Sequence, residues 1–225
     1  INKDSDDHKK RSIDWCFQNS ISIEKLFDIK KIKLLNISDK YSSYDFFIKI
    51  KKSIQFSNYD FGGAGYVDLI YSICEHYKFN YALESGVAYG WSSSAILQSI
   101  SKRNGFLISV DMPMIKQNDY HLIGIAVEKK YHNYWKLIRE PDINGIIKAL
   151  KIRNEFDFFH YDSDKSYYGR KWAFKRVFDK IKSKGVFISD DIQDNEYFRE
   201  FVENYNLNFY VVKFMNKYIG IIFKE

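Results

Sequence analysis

From residue 80 onward, short runs of β-branched and aromatic residues alternate with amphipathic helical segments. The predicted strands are Tyr81–Glu84, Phe106–Asp111, Trp135–Glu140, Phe156–Asp162, Gly185–Asp190, Asn208–Val212 and Tyr218–Phe223. The predicted helices are Ser92–Lys102, Ile143–Lys151, Tyr167–Ile181 and Asn195–Asn204. Such alternation is typical of a doubly wound, mainly parallel α/β sheet with helices on both faces. The last two strands are separated by a short turn, so we expect an antiparallel C-terminal hairpin to complete a seven-stranded sheet.

The chain has 225 residues, which is enough for one sizeable core and too few for two comfortable domains. Residues 1–60 contain charged, helix-compatible runs, such as Ile23–Ile32 and Phe46–Ile54, and no clear strand. We therefore predict a helical and loop extension over residues 1–60, serving as a lid or as a homodimer contact. The main domain is predicted to occupy residues 61–225, beginning at a glycine-rich stretch.

Charge and cysteine content narrow the functional classes. The net charge is +6, but the 29 acidic residues are interspersed among the 35 basic ones, which favours a mixed solvated surface over a nucleic-acid-binding face. Cys16 and Cys74 have neither zinc-ligand nor disulfide-framework spacing. No stretch approaches 18 consecutive apolar residues, and no secretory signal is visible. We expect a cytoplasmic protein with no membrane partner.

Acidic residues stand at the ends of several predicted strands. In open α/β sheets, ligands bind outside the carboxyl ends of the strands, near the point where the strand order reverses. These acids should therefore share one edge of the sheet. They are Glu84, Asp111, Glu140 with Asp142, Asp162 with Asp164, and Asp190 with Asp191.

A glycine-containing loop follows the first predicted strand and opens a helix, over Glu84–Ser94. Gly86 and Gly90 permit a tight turn and close approach of a ligand, and the helix N-terminus suits a carboxylate. The G-x-G-x-x-G pattern of dinucleotide sites is absent, because Ala88 and Tyr89 fill the intermediate positions. Asp111, roughly twenty residues on, could accept hydrogen bonds from both hydroxyls of an adenosine ribose. A plain strand-to-helix turn, with Asp111 capping the next turn, is the alternative.

Residues 80–191 resemble the class I S-adenosylmethionine-dependent methyltransferases, and Glu84–Ser94 resembles their first motif. The resemblance implies a Rossmann-like fold with S-adenosylmethionine as cofactor. In the family, the position of Ser92 holds the methionine carboxylate, and that of Asp142 lies near adenine. The cofactor contacts implied for this chain are Glu84, Gly86, Val87, Ala88, Gly90, Ser92, Asp111, Asp142 and Asp162.

Two further motifs, Phe159–Tyr167 and Ile188–Asp191, resemble those of divalent-metal-dependent small-molecule O-methyltransferases acting on catechols and caffeoyl thioesters. They equally resemble bacterial sugar and macrolide O-methyltransferases, whose second acid pair is often Asp-Asp. Asp162, Asp190 and Asp191 end two strands expected to be neighbours, so their carboxylates could converge on one cation. Hard oxygen ligands suit Mg²⁺, with Ca²⁺ or Mn²⁺ as alternatives. The metal would bind two vicinal hydroxyls and lower the pKa of one of them.

A base must receive the hydroxyl proton. Lys165 matches the catalytic lysine of the catechol and caffeoyl-type enzymes, and a nearby cation would lower its pKa. In the sugar-type enzymes, an aspartate at the position of Asp164 is the candidate instead. We favour Lys165. The structural alternative is that both are surface residues at a helix start, with Asp164 or Ser166 as the N-cap. His160, inside an apolar strand, is interpreted as structural.

These observations favour a metal-dependent O-methyltransferase acting on a small molecule with vicinal hydroxyls. Catechol-type sites usually carry Asp-Asn where this chain has Asp190 and Asp191, so a sugar of a glycoconjugate or secondary metabolite is the preferred acceptor. The alternatives are a catechol-type phenolic O-methyltransferase, an RNA ribose methyltransferase suggested by the basic pI, and a non-catalytic cofactor-binding module.

Overall fold

The computed structural model describes residues 3–56, 60–112 and 118–225. Within these ranges the sheet has eight strands: β1 Ser20–Ile21, β2 Tyr81–Ser85, β3 Phe106–Asp111, β4 Trp135–Arg139, β5 Phe156–Tyr161, β6 Ile181–Ser189, β7 Phe209–Phe214 and β8 Lys217–Phe223. The α-helices are α1 Asp6–Asn19, α2 Ile23–Lys30, α3 Ser38–Ser43, α4 Asp45–Gln55, α5 Val67–His76, α6 Trp91–Ile100, α7 Asp142–Ile152, α8 Tyr167–Val177 and α9 Tyr197–Asn204. Short 3₁₀ turns lie at Ser101–Arg103, Asn118–Leu122, Lys129–Tyr134, Phe178–Lys180 and Ile192–Asp194.

The strand order is β1-β7-β8-β6-β5-β2-β3-β4. Strand β8 runs antiparallel to β6 and β7, and the other pairs are parallel. The predicted doubly wound sheet with an antiparallel C-terminal hairpin is therefore confirmed. From β2 the chain moves outward to β3 and β4, and it then crosses back to β5 on the other side of β2. The strand order thus reverses between β2 and β5, where this fold class binds ligands.

Two local predictions differ from the structure. Residues 1–60 contain one strand after all, because Ser20 and Ile21 pair in parallel with the strand β7. A strand of two residues is too short to produce a hydrophobic alternation in the sequence.

Strand β6 begins at Ile181, four residues before the predicted start at Gly185, and the predicted helix ends correspondingly early. The residues between Ile181 and Gly185 are polar and therefore resemble a loop in the sequence, and the register with β5 shifts in this part of the strand.

The core lies on both faces of the sheet because successive strand residues point to opposite sides. On β2, Ala82 belongs to one buried cluster and Leu83 to the other. The first cluster lies under α5 and α6, and the second under α7, α8 and α9. Leu26 of α2 and Phe47 of α4 are fully buried in the first cluster. The N-terminal residues therefore share a core with the sheet.

Cys16 and Cys74 are buried free thiols. Among the described residues, no helix combines the length and the apolar character needed to cross a membrane.

We expect Leu26→Ala to lower the free energy of unfolding by about 2–5 kcal/mol, because it leaves a cavity in a core shared with the sheet. Leu34→Ala, at a leucine that is 45% exposed, is the matched control and should cost roughly 0.5 kcal/mol or less. Denaturant unfolding followed by circular dichroism and by tryptophan fluorescence should give one coincident transition. Two separate transitions, with only the first sensitive to Leu26→Ala, would contradict the shared core.

Candidate active site

A cavity of about 1060 Å³ opens at the carboxyl ends of β2, β3 and β5, where the strand order reverses. Small-molecule sites commonly measure roughly 300–1,000 Å³, so there is room for a cofactor and a second molecule. The predicted site residues that line the cavity are Gly86, Val87, Ala88, Ser92, Asp111, Asp142, Asp162, Asp164 and Asp190. The predicted site residues that do not line it are Glu84, Gly90, Lys165 and Asp191.

The loop after β2 requires glycine at two positions. Gly86 has φ +90°, and a Cβ atom there would lie 2.1 Å from the carbonyl oxygen of Asp162. Gly90 has φ +84°, and a Cβ atom there would lie 2.9 Å from the Cα of Gly124. Gly86 therefore allows the backbones after β2 and β5 to meet, and Gly90 allows the loop after β3 to approach the loop after β2.

Asp111, the last residue of β3, fixes the glycine loop. Its Oδ2 accepts hydrogen bonds from the backbone N–H groups of Val87 at 2.7 Å and Ala88 at 2.9 Å. Burial raises the pKa of Asp111 although these two donors oppose the shift. The carboxylate thus sits at the cavity wall, at the position predicted to bind ribose.

Glu84 lies beneath the loop and is fully buried. It accepts hydrogen bonds from the hydroxyls of Ser92 at 2.6 Å, Ser109 at 2.8 Å and Ser93, and it faces Nδ1 of His160 at 3.4 Å. Glu84 therefore joins the start of α6 to the neighbouring strands. The hydroxyl proton of Ser92 is directed at Glu84 and away from any ligand in the cavity.

Asp142, the first residue of α7, connects the ends of β2 and β5. Its Oδ1 accepts a hydrogen bond from the Ser85 hydroxyl at 2.6 Å, and its Oδ2 accepts one from the Ser163 hydroxyl at 2.5 Å. Both bonds hold the cavity wall at the predicted adenine side.

The carboxylates of Asp162, Asp190 and Asp191 converge as the sequence predicts. One oxygen from each residue can be chosen so that all three lie within 4.8 Å of one another. The convergence follows from the pairing of β5 with β6, since the N–H of Asp190 donates to the carbonyl of Tyr161 at the end of β5. Asp191 has φ +49°, a left-handed backbone conformation that turns the chain at this point.

Two lysines form ion pairs with this cluster. The ammonium of Lys165 forms ion pairs with Asp162 and, at 2.9 Å, with Asp191. The ammonium of Lys217, at the start of β8, lies 2.5 Å from Oδ2 of Asp190. Each of the three carboxylates therefore has a lysine partner.

The pKa values of the cluster follow from these contacts. Burial alone would lower the pKa of Lys165, but the three carboxylates outweigh it and raise that pKa. The lowered pKa expected for Lys165 is therefore not produced by the protein groups. Burial, reinforced by the charge of Asp162, raises the pKa of Asp190. Burial would raise the pKa of Asp191 as well, but Lys165 lowers it.

Asp164 and Ser166 are arranged as a helix start. The Ser166 hydroxyl accepts a hydrogen bond from the N–H of Gly169 at 3.0 Å and is the N-cap of α8. Oδ1 of Asp164 accepts one from the N–H of Ser166 at 2.9 Å. The Asp164 residue is exposed. Of the two residues considered as the N-cap, Ser166 is the one that caps α8, and Asp164 accepts the N–H of that cap residue.

Three residues that sequence reasoning missed complete the site. Lys217 begins the antiparallel strand β8, so it lies at the edge of the sheet where the parallel strands end. The hairpin predicted from the sequence already implied this position. Arg170 is fully buried and donates to the backbone carbonyls of Asp190 at 3.0 Å and Asp191 at 2.8 Å. Tyr66 donates to or accepts from Nε2 of His160 at 2.9 Å and lines the cavity, for which the sequence contains no signal that we can identify.

Comparisons with known proteins agree with this architecture. Residues 83–192 match a family model described as a methyltransferase domain. No curated protein sequence matches the chain.

Several solved structures share the fold. The O-methyltransferase from Bacillus cereus, in complex with SAH, is 11% identical with a TM-score of 0.63, over 83% of this chain and 96% of that one. The SAH-bound methyltransferase PaMTH1 of Podospora anserina is 13% identical with a TM-score of 0.62, over 98% and 97%. The O-methyltransferase TomG from Streptomyces achromogenes, involved in tomaymycin synthesis and solved with SAM, is 12% identical with a TM-score of 0.56, over 79% and 96%. At these identities the similarity establishes the fold.

We expect Gly86→Ala to weaken S-adenosylmethionine binding at least about tenfold, because its Cβ would displace the Asp162 backbone and its positive φ is strained. Gly63→Ala is the matched control, since Gly63 also lines the cavity and a Cβ there meets no atom within 4 Å. Isothermal titration calorimetry measures both affinities. Equal affinities for the two variants would show that the loop after β2 does not form the cofactor site.

Proposed function

We propose that this chain, a class I S-adenosylmethionine-dependent methyltransferase whose residues 83–192 match the methyltransferase domain, is a metal-dependent O-methyltransferase. Its acceptor is a small molecule with vicinal hydroxyls. The observation that carries the proposal is the convergence of Asp162, Asp190 and Asp191 beside the cavity that the glycine loop lines. A cofactor site and a cation site in one cavity are what such a methyl transfer requires.

The cofactor half of the cavity supports S-adenosylmethionine binding. The first N–H groups of α6 have no acceptor within the helix, so those of Trp91 and Ser92 are suited to the methionine carboxylate. Since the Ser92 hydroxyl is held by Glu84, we assign this contact to the Ser92 backbone. Asp111 at the end of β3 is assigned to the ribose hydroxyls, and Asp142 to the adenine side.

The donor set of the three carboxylates fits a divalent cation. Three carboxylates offer hard oxygen ligands, which suit Mg²⁺, Mn²⁺ or Ca²⁺. Asp162, Asp190 and Asp191 would hold the ion, which when bound supplies a Lewis acid that lowers the pKa of an acceptor hydroxyl. The cavity residues would orient that hydroxyl toward the methyl group of the cofactor.

Lys165 is the favoured proton acceptor. Its nitrogen contacts two of the carboxylates of the proposed metal site, whereas Asp164 contacts none of them and its Oδ1 accepts the N–H of Ser166. A cation bound by the carboxylates would remove the interaction that raises the pKa of Lys165. Lys165 would then lose its own proton to solvent, and its neutral amine would take the hydroxyl proton at Nζ.

The acceptor is proposed to be a sugar, because this chain has the Asp190-Asp191 pair of the sugar-type enzymes that it resembles. One observation favours a second candidate, a planar phenol. The cavity wall beyond the carboxylates is lined by Phe61, Tyr66 and Phe214, whose rings could hold an aromatic acceptor.

Two predictions about organisation remain proposals. The first is that residues 1–60 form a lid or a dimer contact. The second is a cytoplasmic location, which the two buried free thiols support because disulfides are rare in reducing compartments.

The proposal is tested by measuring how much S-adenosylhomocysteine forms from S-adenosylmethionine in the presence of a panel of vicinal diols, sugars and catechols, with Mg²⁺ or with a strong chelator. We expect turnover to require the metal. Asp190→Asn should lower kcat at least about a hundredfold, because removing a ligand charge weakens metal binding. Asp179→Asn, an exposed acid outside the cavity, is the matched control and should retain full activity. Full activity in the chelator would exclude the metal mechanism.

The choice of base is tested by comparing Lys165→Gln with Asp164→Asn. If Lys165 is the base, its replacement should lower kcat by roughly 10²–10⁴-fold. Asp164→Asn should change kcat less than about threefold, since an amide oxygen can still accept the Ser166 N–H. The affinity for S-adenosylmethionine, measured by calorimetry, should be unchanged in both. The opposite ranking of kcat would assign the base to Asp164.

A further inference from the structure

Lys217 occupies a specific oxygen of the carboxylate cluster. Oδ1 of Asp190 accepts a hydrogen bond from the N–H of Asp191 at 2.9 Å. The other oxygen, Oδ2, lies 2.5 Å from the ammonium of Lys217. Lys217 thus holds the oxygen of Asp190 to which the backbone of Asp191 does not donate.

We infer that Lys217 is an internal counter-ion that competes with the divalent cation for Asp190, so that removing its charge tightens metal binding. The inference rests on the metal site of the proposed function. It adds a residue from the C-terminal hairpin that sets the affinity of that site.

Burial makes a counter-ion necessary at Asp190. The side chain is 1% exposed, so water cannot solvate its charge when no metal is bound. Lys217 supplies a positive charge from the hairpin between β7 and β8, and its own side chain is 31% exposed. A cation that replaced it would therefore release the ammonium toward the cavity that Lys217 lines.

Lys217 is better suited to this exchange than Lys165. Lys165 is anchored to two carboxylates, Asp162 and Asp191, and lies only three residues after the first of them. Among the described residues Lys217 forms an ion pair with Asp190 only, and its ammonium also lies 5.7 Å from the ring centre of Tyr66. That aromatic face gives the ammonium a second favourable position close to the first.

The charges of the cluster point the same way. Three carboxylates and two ammonium groups leave one net negative charge, which attracts a divalent cation weakly. Neutralising Lys217 leaves two negative charges, which match the cation. Because Coulomb interactions at a few ångströms are strong in partly buried sites, one charge there should change affinity by a large factor.

The test measures the dissociation constants of Mn²⁺ and Mg²⁺ by calorimetry in the full-length protein. Lys217→Gln should bind both ions at least about tenfold more tightly than the wild type. Lys213→Gln removes the same charge from an exposed position on the same hairpin and should stay within about twofold. Retained S-adenosylmethionine affinity shows that each variant is folded.

Chemical rescue separates charge from packing. Lys217→Cys, treated with bromoethylamine, regains an ammonium on a side chain that differs from lysine by one sulfur atom. Cys16 and Cys74 are fully buried and shielded from the reagent. The untreated variant should bind Mn²⁺ tightly, and the aminoethylated one should return to the affinity of the wild type. Thermal unfolding should show a larger metal-induced rise in Tm for Lys217→Gln than for the wild type.

If Lys217→Gln does not fold without metal, Lys217→Arg provides the test. Arginine keeps the charge and can bind a carboxylate with two parallel hydrogen bonds, so it should bind metal no more tightly than the wild type. Tighter binding by Lys217→Arg would overturn the inference. Equal metal affinities in the wild type and Lys217→Gln would also overturn the inference, but they would leave the proposed metal site supported. Absence of metal binding in every protein would overturn this inference together with the metal part of the proposed function.

Discussion

Repulsion among three carboxylates is the constraint on which the rest of the site depends. Asp162, Asp190 and Asp191 approach within 4.8 Å, and Asp190 is almost fully buried. Such a cluster is unstable unless positive charge accompanies it. The protein supplies that charge from two directions. Lys165 comes from the loop that follows β5, and Lys217 comes from the hairpin at the other side of β6.

The position of the carboxylates is fixed through their backbone, by a residue that lies behind them. The guanidinium of Arg170 is fully buried and donates to the Ser189 hydroxyl and to the carbonyls of Asp190 and Asp191. These bonds hold the left-handed turn at Asp191 that separates the two adjacent side chains. A residue without side-chain donors would leave these carbonyls unpaired, which costs about 1–3 kcal/mol for each buried group.

The sequence predicts the carboxylates because parallel strands end at one edge, and that rule needs only the strand boundaries. It predicts the glycine loop because Gly86 and Gly90 stand between a predicted strand and a predicted helix. Lys217 and Arg170 were missed because their roles depend on which side chains face the cluster from β8 and α8. Strand β1 was missed because two residues carry no periodicity, and its pairing is set by the distant strand β7. Local sequence patterns therefore predict the position of the acidic residues, whereas the basic side chains beside them are determined by tertiary packing.

The N-terminal helix reaches this site without lining the cavity. The Ser12 hydroxyl of α1 donates to the carbonyls of Ile192 at 3.1 Å and Asn195 at 2.9 Å, just after the Asp-Asp turn. The Asn195 amide in turn donates to the carbonyl of Lys165 at 2.7 Å. One chain of hydrogen bonds therefore connects α1, the segment after β6 and the backbone of the favoured base. The position of the segment after β6 is therefore fixed both by α1 and by the loop that carries Lys165. The N-terminal helix can therefore influence the site without contacting a ligand, because it helps to fix the backbone that carries Lys165.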